Sequence, residues 1–372
     1  MLKGAQHMRI SDFGSHALGF CAAFAILAGC GGSSHSQLVS LVPFQQSSTQ
    51  SRIGQLSGSR LNTSDAASGI DVAALQMNRS PSWMLPEAKN QELLYIANYY
   101  TNIVRVYSYP TGKLVGSLTT DIYTPDGVCV DKQANVWIVN NYAASGGYKI
   151  IEYKHGGAKP IATLEDSAEY SETCSVDPTT GNLAVTNNSS YSNGPGSVSI
   201  YAHAKGNPQT YVDSKIGTMY FCGYDPKGNL YVDGLTATGY FQLAEMPKGK
   251  KTFTNIKLTG GTIHLPGQVQ WDGKHLAVGD QDAGTKISGY TYSAVYETTG
   301  AGGKIVGTTP LGDSLDVAGF WIAGNTLIAP NAPELASQSG GNVYFYKYPG
   351  GGKPTKNLKK GFSNPLGLAI SP

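Results

Sequence analysis

The feature that most limits the fold is a repeat. A strand of the form apolar-x-apolar-x-Asn/Asp recurs as "LYIAN" from Leu94, "VWIVN" from Val136, "LAVTN" from Leu183, "LYVDG" from Leu230, "LAVGD" from Leu276 and "LIAPN" from Leu327. Successive starts lie 42, 47, 47, 46 and 51 residues apart. Downstream of each comes a second strand and a turn rich in Gly, Pro or Lys, as in "VRVYSYPTGKLVGSL" and "VYFYKYPGGGKPTKNL". Upstream comes a short strand that often ends in Asp: "GVCVD", "TCSVD", "FCGYD", "QVQWD", a degenerate "VAGFW", and "GLAIS" at the C-terminus. Four short strands per unit, none able to bury both faces alone, predict an all-β, six-bladed β-propeller over 91–372.

The order of the pieces also predicts how the ring closes. The chain enters at the second strand of a unit, and its last strand, "GLAIS", has no hairpin after it. That C-terminal strand is expected to complete the first blade and so remove an open sheet edge. Composition agrees, with 47 Gly, 19 Pro and 23 Tyr against only 14% charged residues, the balance of many short strands and tight turns. A net charge of +2 gives no global field for nucleic acid, which is not expected as a partner. The cluster "KGKK" at 248–251 reads as a solvated hairpin tip.

The first thirty residues read as an address. Lys3 and Arg9 precede the apolar run "ALGFCAAFAIL", about half the ~20 residues a membrane-spanning helix needs, so 1–29 is expected to be a secretory signal. Leu27-Ala28-Gly29-Cys30 resembles the lipobox of bacterial lipoproteins, which implies lipid attachment at Cys30, export, and anchoring in the cell envelope, with Gly31 leaning toward the outer membrane. Residues 30–90, rich in Ser and Gln, read as a flexible tether, with Trp83 the expected anchor of any piece that docks on the domain. Cys129, Cys174 and Cys222 each sit in an apolar strand and read as buried small hydrophobes in a monomeric domain without a disulfide framework.

The unit pattern Pro-x-Gly-apolar-x-apolar-Asp, turn, Asn-apolar-Trp/Tyr-apolar resembles the NHL-repeat and SMP-30/gluconolactonase propellers over nearly all of 91–372. "PDGVCVDKQANVWIV" (125–139) resembles most closely the SMP-30 segment whose Asp is a divalent-metal ligand at the tunnel mouth, a role this resemblance would give Asp126. Counting five residues back from the strand-ending Asp in other units gives Glu172, Tyr220 and Gly267, and in the last blade Leu366 with Asn364 two residues earlier. Asp316 is the candidate in the degenerate unit. Asp126, Glu172 and Asp316 are thus the expected metal residues, a cation such as calcium the implied cofactor, and oxygen ligands the right chemistry for it.

Other positions complete the expected mouth. Tyr99, Tyr142, Tyr220 and His264 are the candidate binding residues, where an envelope protein or a carbohydrate would be met. The strand-ending Asn98, Asn140, Asn187, Asp280 and Asn331 read as turn caps rather than as a ring of ligands. No nucleophile elbow, phosphate loop or His pair with zinc spacing occurs. The leading expectation is a lipid-anchored binding module rather than an enzyme; the alternative is a metal-dependent lactonase.

Overall fold

The computed structural model describes residues 80–372 apart from 142–147, 167–169, 189–194, 285, 288–289, 292 and 333–339. The described residues belong to one compact unit, Ser47–Pro372. Cys30, the signal segment, most of the tether, Tyr142 and Tyr191 lie outside the described residues. No helix among the described residues is long and apolar enough to cross a membrane.

Six sheets of four antiparallel strands form the ring, all built alike. Blade 2 shows the plan: inner strand Pro125–Val130, then Val136–Asn140, Tyr148–Tyr153 and, outermost, Pro160–Asp166. The inner strands of blades 3, 4 and 5 are Ser171–Val176, Thr218–Tyr224 and Pro266–Trp271. In blade 6 the inner strand shrinks to Trp321–Ala323, the degenerate unit of the sequence. The expected closure is present: Pro365–Ser371 pairs with Leu93–Asn98, with Leu94 opposite Ile370 and Ile96 opposite Leu368. The longest sequence unit, 51 residues from Leu276 to Leu327, contains an added two-stranded ribbon, Lys286–Ile287 with Tyr290–Thr291.

Second strands are buried along their whole length, because each is flanked by its own sheet and by the blades on either side. This is why even the positions between the two fixed apolar ones are mostly apolar or small, as in LYIAN, VWIVN and LAVGD. Third-strand tyrosines lock neighbouring blades, as their positions predict. The Tyr201 hydroxyl donates to the Glu165 carbonyl at 2.9 Å and that of Tyr346 to the Gly312 carbonyl at 2.9 Å, each at the end of the preceding blade. Tyr153 makes the matching bond to the Thr120 carbonyl. Every such ring combines apolar burial with a satisfied hydroxyl.

Two expectations need correction. Cys129 and Cys174 are not separate buried thiols: they form a disulfide joining the inner strands of blades 2 and 3, and Cys222 alone stays a buried free thiol. Their alternation on adjacent strands turns the two side chains toward each other, a relation that spacing within one unit does not reveal. The docking of the tether's end is also different in detail. Trp83–Met84 adds a fifth strand at the outer edge of blade 1, pairing with Leu114–Leu118, but Trp83 is 38% exposed. Met84 and Leu85 pack on the core instead, with Met84 filling the space over Gly116.

Candidate functional site

The inner strands converge so closely that side chains are excluded at defined points. A Cβ on Gly127, the glycine of Pro-Asp-Gly, would lie 2.5 Å from the Thr173 Cα and 2.7 Å from the Glu172 carbonyl oxygen of the next blade. Gly367 meets the Asp126 carbonyl in the same way, and Gly319 meets Leu366. This glycine is therefore demanded by blade packing, whatever chemistry stands beside it. Its consequence for the site is that Asp126 and Glu172 sit at one level on adjacent inner strands.

A repeated backbone bond fixes the register of the rim. In every blade but the fourth, the residue following the second strand donates its N–H to a carbonyl just ahead of the inner strand: Asn141 to Thr124 at 3.1 Å, Asn188 to Tyr170 at 2.8 Å, Gln281 to Leu265 at 3.1 Å. Tyr99 does so to Asn364 at 3.2 Å and Ala332 to Asp316 at 3.2 Å. Asp316 thus matches Thr124 and Asn364, two residues short of the level of Asp126 and Glu172, where blade 6 has Ala318. The expected triad is not assembled at one level. The degenerate unit has no strand-ending Asp from which to count, which is why its register was misplaced.

Four of the five strand-ending residues are caps, as read from sequence, and they shape the rim; Asn187 instead lies against the Ser197 and Ser199 hydroxyls. Asn98 accepts from Ser363 N–H at 3.2 Å, Asn140 from Tyr123 at 3.1 Å, and Asn331 from Leu315 at 2.7 Å. Asp280 accepts from the N–H groups of His264 and Leu265, both at 3.0 Å. Burial nonetheless pushes its pKa up. The His264 ring is held by the same carboxylate, Nδ1 to Oδ2 at 3.3 Å, with half of its side chain exposed.

The residues that follow these caps were missed. Asn141 donates to the Asp126 carboxylate at 3.3 Å and Asn188 to that of Glu172 at 3.3 Å, all four side chains being buried. The signal is the second Asn of "VNN" and "TNN", which looks like more turn. Gln281 takes this place in blade 5; its Nε2 bonds the Pro266 carbonyl while its buried Oε1 has no partner. Next to them on blade 1, Asn364 is 3% exposed and neither amide atom has a hydrogen-bond partner, and the Thr124 hydroxyl is likewise buried and unpartnered. Buried polar atoms are paired in the great majority of cases, so these atoms, unpartnered among the described residues, single out the rim as the candidate site.

The other expected residues fall differently. Tyr220 is at the level of Asp126 and Glu172, its carbonyl accepting from the Thr186 hydroxyl at 2.7 Å. Tyr99 is 1% exposed and stands edge-on to Tyr100, so its face belongs to the interior. Among the described residues no three His, Cys, Asp or Glu side chains gather closely enough to hold a metal ion. Two carboxylates, each already accepting an amide N–H, are a poor match for the hard, oxygen-rich set that a calcium-type centre uses.

Below this level Asp233 is fully buried between the inner strands of blades 4 and 5. Its Oδ1 accepts from Phe221 N–H at 3.1 Å, and its Oδ2 has no partner. Burial outweighs the backbone bonds from Phe221 and Gly267 and holds its pKa well above the ordinary Asp value.

No family model and no curated protein matches this chain. Solved structures do. A chain of a nidogen/laminin complex superposes with a TM-score of 0.58 at 10% identity, covering 76% of this chain and 98% of the other. A gluconolactonase-family protein superposes with a TM-score of 0.48 at 13% identity, over 67% of this chain and 84% of the other, too slight a likeness to build on. At such identities the first match establishes the propeller fold and nothing of its ligand.

Proposed function

We propose that this chain is an exported binding module, held in the cell envelope through a lipidated Cys30, that takes a small ligand rich in hydroxyl groups at the rim of blades 1, 2, 3 and 5. The observation that carries this is the set of orphaned buried polar atoms on Asn364, Thr124 and Gln281 beside the Asp126–Asn141 and Glu172–Asn188 pairs. Buried polar atoms left without partners are costly, so a hydroxyl-rich ligand that opens the rim and pairs them gains bonds that the protein alone does not make. Export is supported by the Cys129–Cys174 bridge, since disulfides persist chiefly in oxidising compartments.

Thermal-shift titration with sugars, aldonates and polyols tests it, comparing wild type with Asn364→Gly. Glycine suits the φ of 52° at that position and removes the amide without strain. The expected result is a ligand-dependent rise in Tm that the variant loses while its unliganded Tm is kept or raised. A panel that shifts neither protein refutes the reading.

The second reading, a metal-dependent lactonase, rests on the adjacent carboxylates Asp126 and Glu172. Calorimetric titration with calcium, manganese and zinc tests it, with Asp126→Ala and Glu172→Ala as controls; absence of heat in the wild type removes it.

A further inference from the structure

The opposite end of the channel carries a second constellation. Inner strands run from the rim just described toward the turns that join first to second strands, so those turns and the hairpin tips share the far face. All of these turns lie within the described residues. Across the axis the Thr173 hydroxyl of blade 3 meets the Gln268 side chain of blade 5 at 3.5 Å. On the far side lies an open-mouthed cavity of about 340 Å³, lined by the inner strands of blades 2 to 6 and in the lower range of small-molecule sites.

Its lining combines two kinds of group. Trp271 and Trp321 are half-buried in its wall, and neither indole N–H has a hydrogen-bond partner among the described residues. Gln268 and Gln270 add amides, the latter fixed by a reciprocal pair with Ile322, at 2.8 Å to its N–H and 3.1 Å to its carbonyl. Apolar faces next to fixed polar groups suit a ring that is hydrophobic on its faces and hydroxylated at its edge.

The turns around the cavity carry charge in a particular order. Asp131, Asp225 and Asp272 spend their carboxylates on the turns themselves: Asp131 accepts from Gln133 and Asn135, Asp225 from Lys227 and Asn229, and Asp272 from Lys274 and His275. The lysines one or two residues further on, Lys132, Lys227 and Lys274, are exposed and form no ion pair among the described residues. Further out, the exposed Lys248, Lys250 and Lys251 of the KGKK tip edge another cleft of about 300 Å³ between blades 3 and 4.

We propose that this far face binds an acidic glycan, one sugar ring entering the Trp271–Trp321 cavity and the carboxylates or sulfates of the flanking sugars meeting Lys132, Lys227 and Lys274. The alternation of fixed carboxylates with free lysines separates this ligand from a nucleic acid. A dense polyphosphate pays repulsion at every turn aspartate, whereas charges spaced apart by neutral rings fall between them.

The test is titration of the full chain with an oligogalacturonate and a heparin-derived hexasaccharide, followed by indole fluorescence and calorimetry, with maltohexaose as the uncharged control. At least one acidic oligomer is expected to bind and shift the indole emission, maltohexaose not. Lys227→Ala with Lys274→Ala, at exposed turns that leave the core intact, is expected to raise Kd at least tenfold, and added salt to weaken binding in wild type more than in the variant. The proposal is overturned if neither acidic oligomer binds, if the double variant binds unchanged, or if oligothymidylate or phosphatidylglycerol vesicles bind in preference to both.

Discussion

Reducing the Cys129–Cys174 bridge is the sharpest test of the ring as described. The two cysteines are 45 residues apart in sequence. Treating the bridge as a constraint on the unfolded chain, a loop of that length lowers the stability of the reduced protein by about 4 kcal/mol at 25 °C. For a domain of this size each kcal/mol moves Tm by roughly 2–4 °C, so the expected fall is on the order of 10 °C. Chemical reduction is a cleaner perturbation than substitution, because no atom leaves the packed junction between blades 2 and 3. The assay is urea unfolding of the protein with and without reductant, with Cys129→Ala and Cys174→Ala as separate checks. Alkylation of the oxidised, unfolded chain is expected to label Cys222 but neither bridge cysteine. Superposable unfolding curves, or alkylation of Cys129 and Cys174 without reductant, would refute the reasoning.

Three further outcomes follow from the geometry. Gly127→Ala pushes a methyl group into the Thr173 backbone of the next blade and is expected to destabilise by about 1–3 kcal/mol, read from the urea midpoint; an unchanged midpoint contradicts the close approach. Asp233 has a raised native pKa, so between the ordinary Asp range near pH 4 and that raised value the native state holds a proton the unfolded chain has released, and stability falls as pH rises through the window. Asp233→Asn is expected to flatten this dependence and to be the more stable form at pH 8; parallel pH profiles argue against a protonated Asp233. Removing residues 365–372 takes the inner strand from blade 1, strips Leu94 and Ile96 of their partners, and is expected to abolish cooperative unfolding of the whole ring; a sharp transition in the truncated protein rules out this closure.

The blade pattern was legible because each second strand is buried and mostly apolar, and in blades 2 to 5 the inner strand ends in a turn whose Asp binds its own backbone. Those demands are local and recur, so the ring and even its closing strand could be read from residues 94 to 371. What escaped reading depends on relations between blades. The disulfide joins side chains on different units, and Gly127 owes its identity to Thr173, not to its own turn. Asn141 and Asn188 looked like turn residues because their partners, Asp126 and Glu172, lie fifteen and sixteen positions back across a hairpin.

The same distinction explains why the rim is lopsided. The level of Asp126 is occupied in turn by Leu366, Asp126, Glu172, Tyr220, Gly267 and Ala318, six equivalent places of which only blades 2, 3 and 4 carry a polar group. The repeat constrains the backbone there, since glycines keep the inner strands in contact, but it leaves the side chain beside them unconstrained. A symmetric fold therefore presents an asymmetric surface, whose arc of blades 2 and 3 holds two buried carboxylates that each accept an amide N–H. Substitution on that arc is expected to alter binding and leave the ring intact, whereas substitution at Gly127 or Gly367 does the reverse. Within one Pro-Asp-Gly, Asp126 accepts from Asn141 while the neighbouring Gly127 is held to glycine by the Thr173 backbone of the next blade.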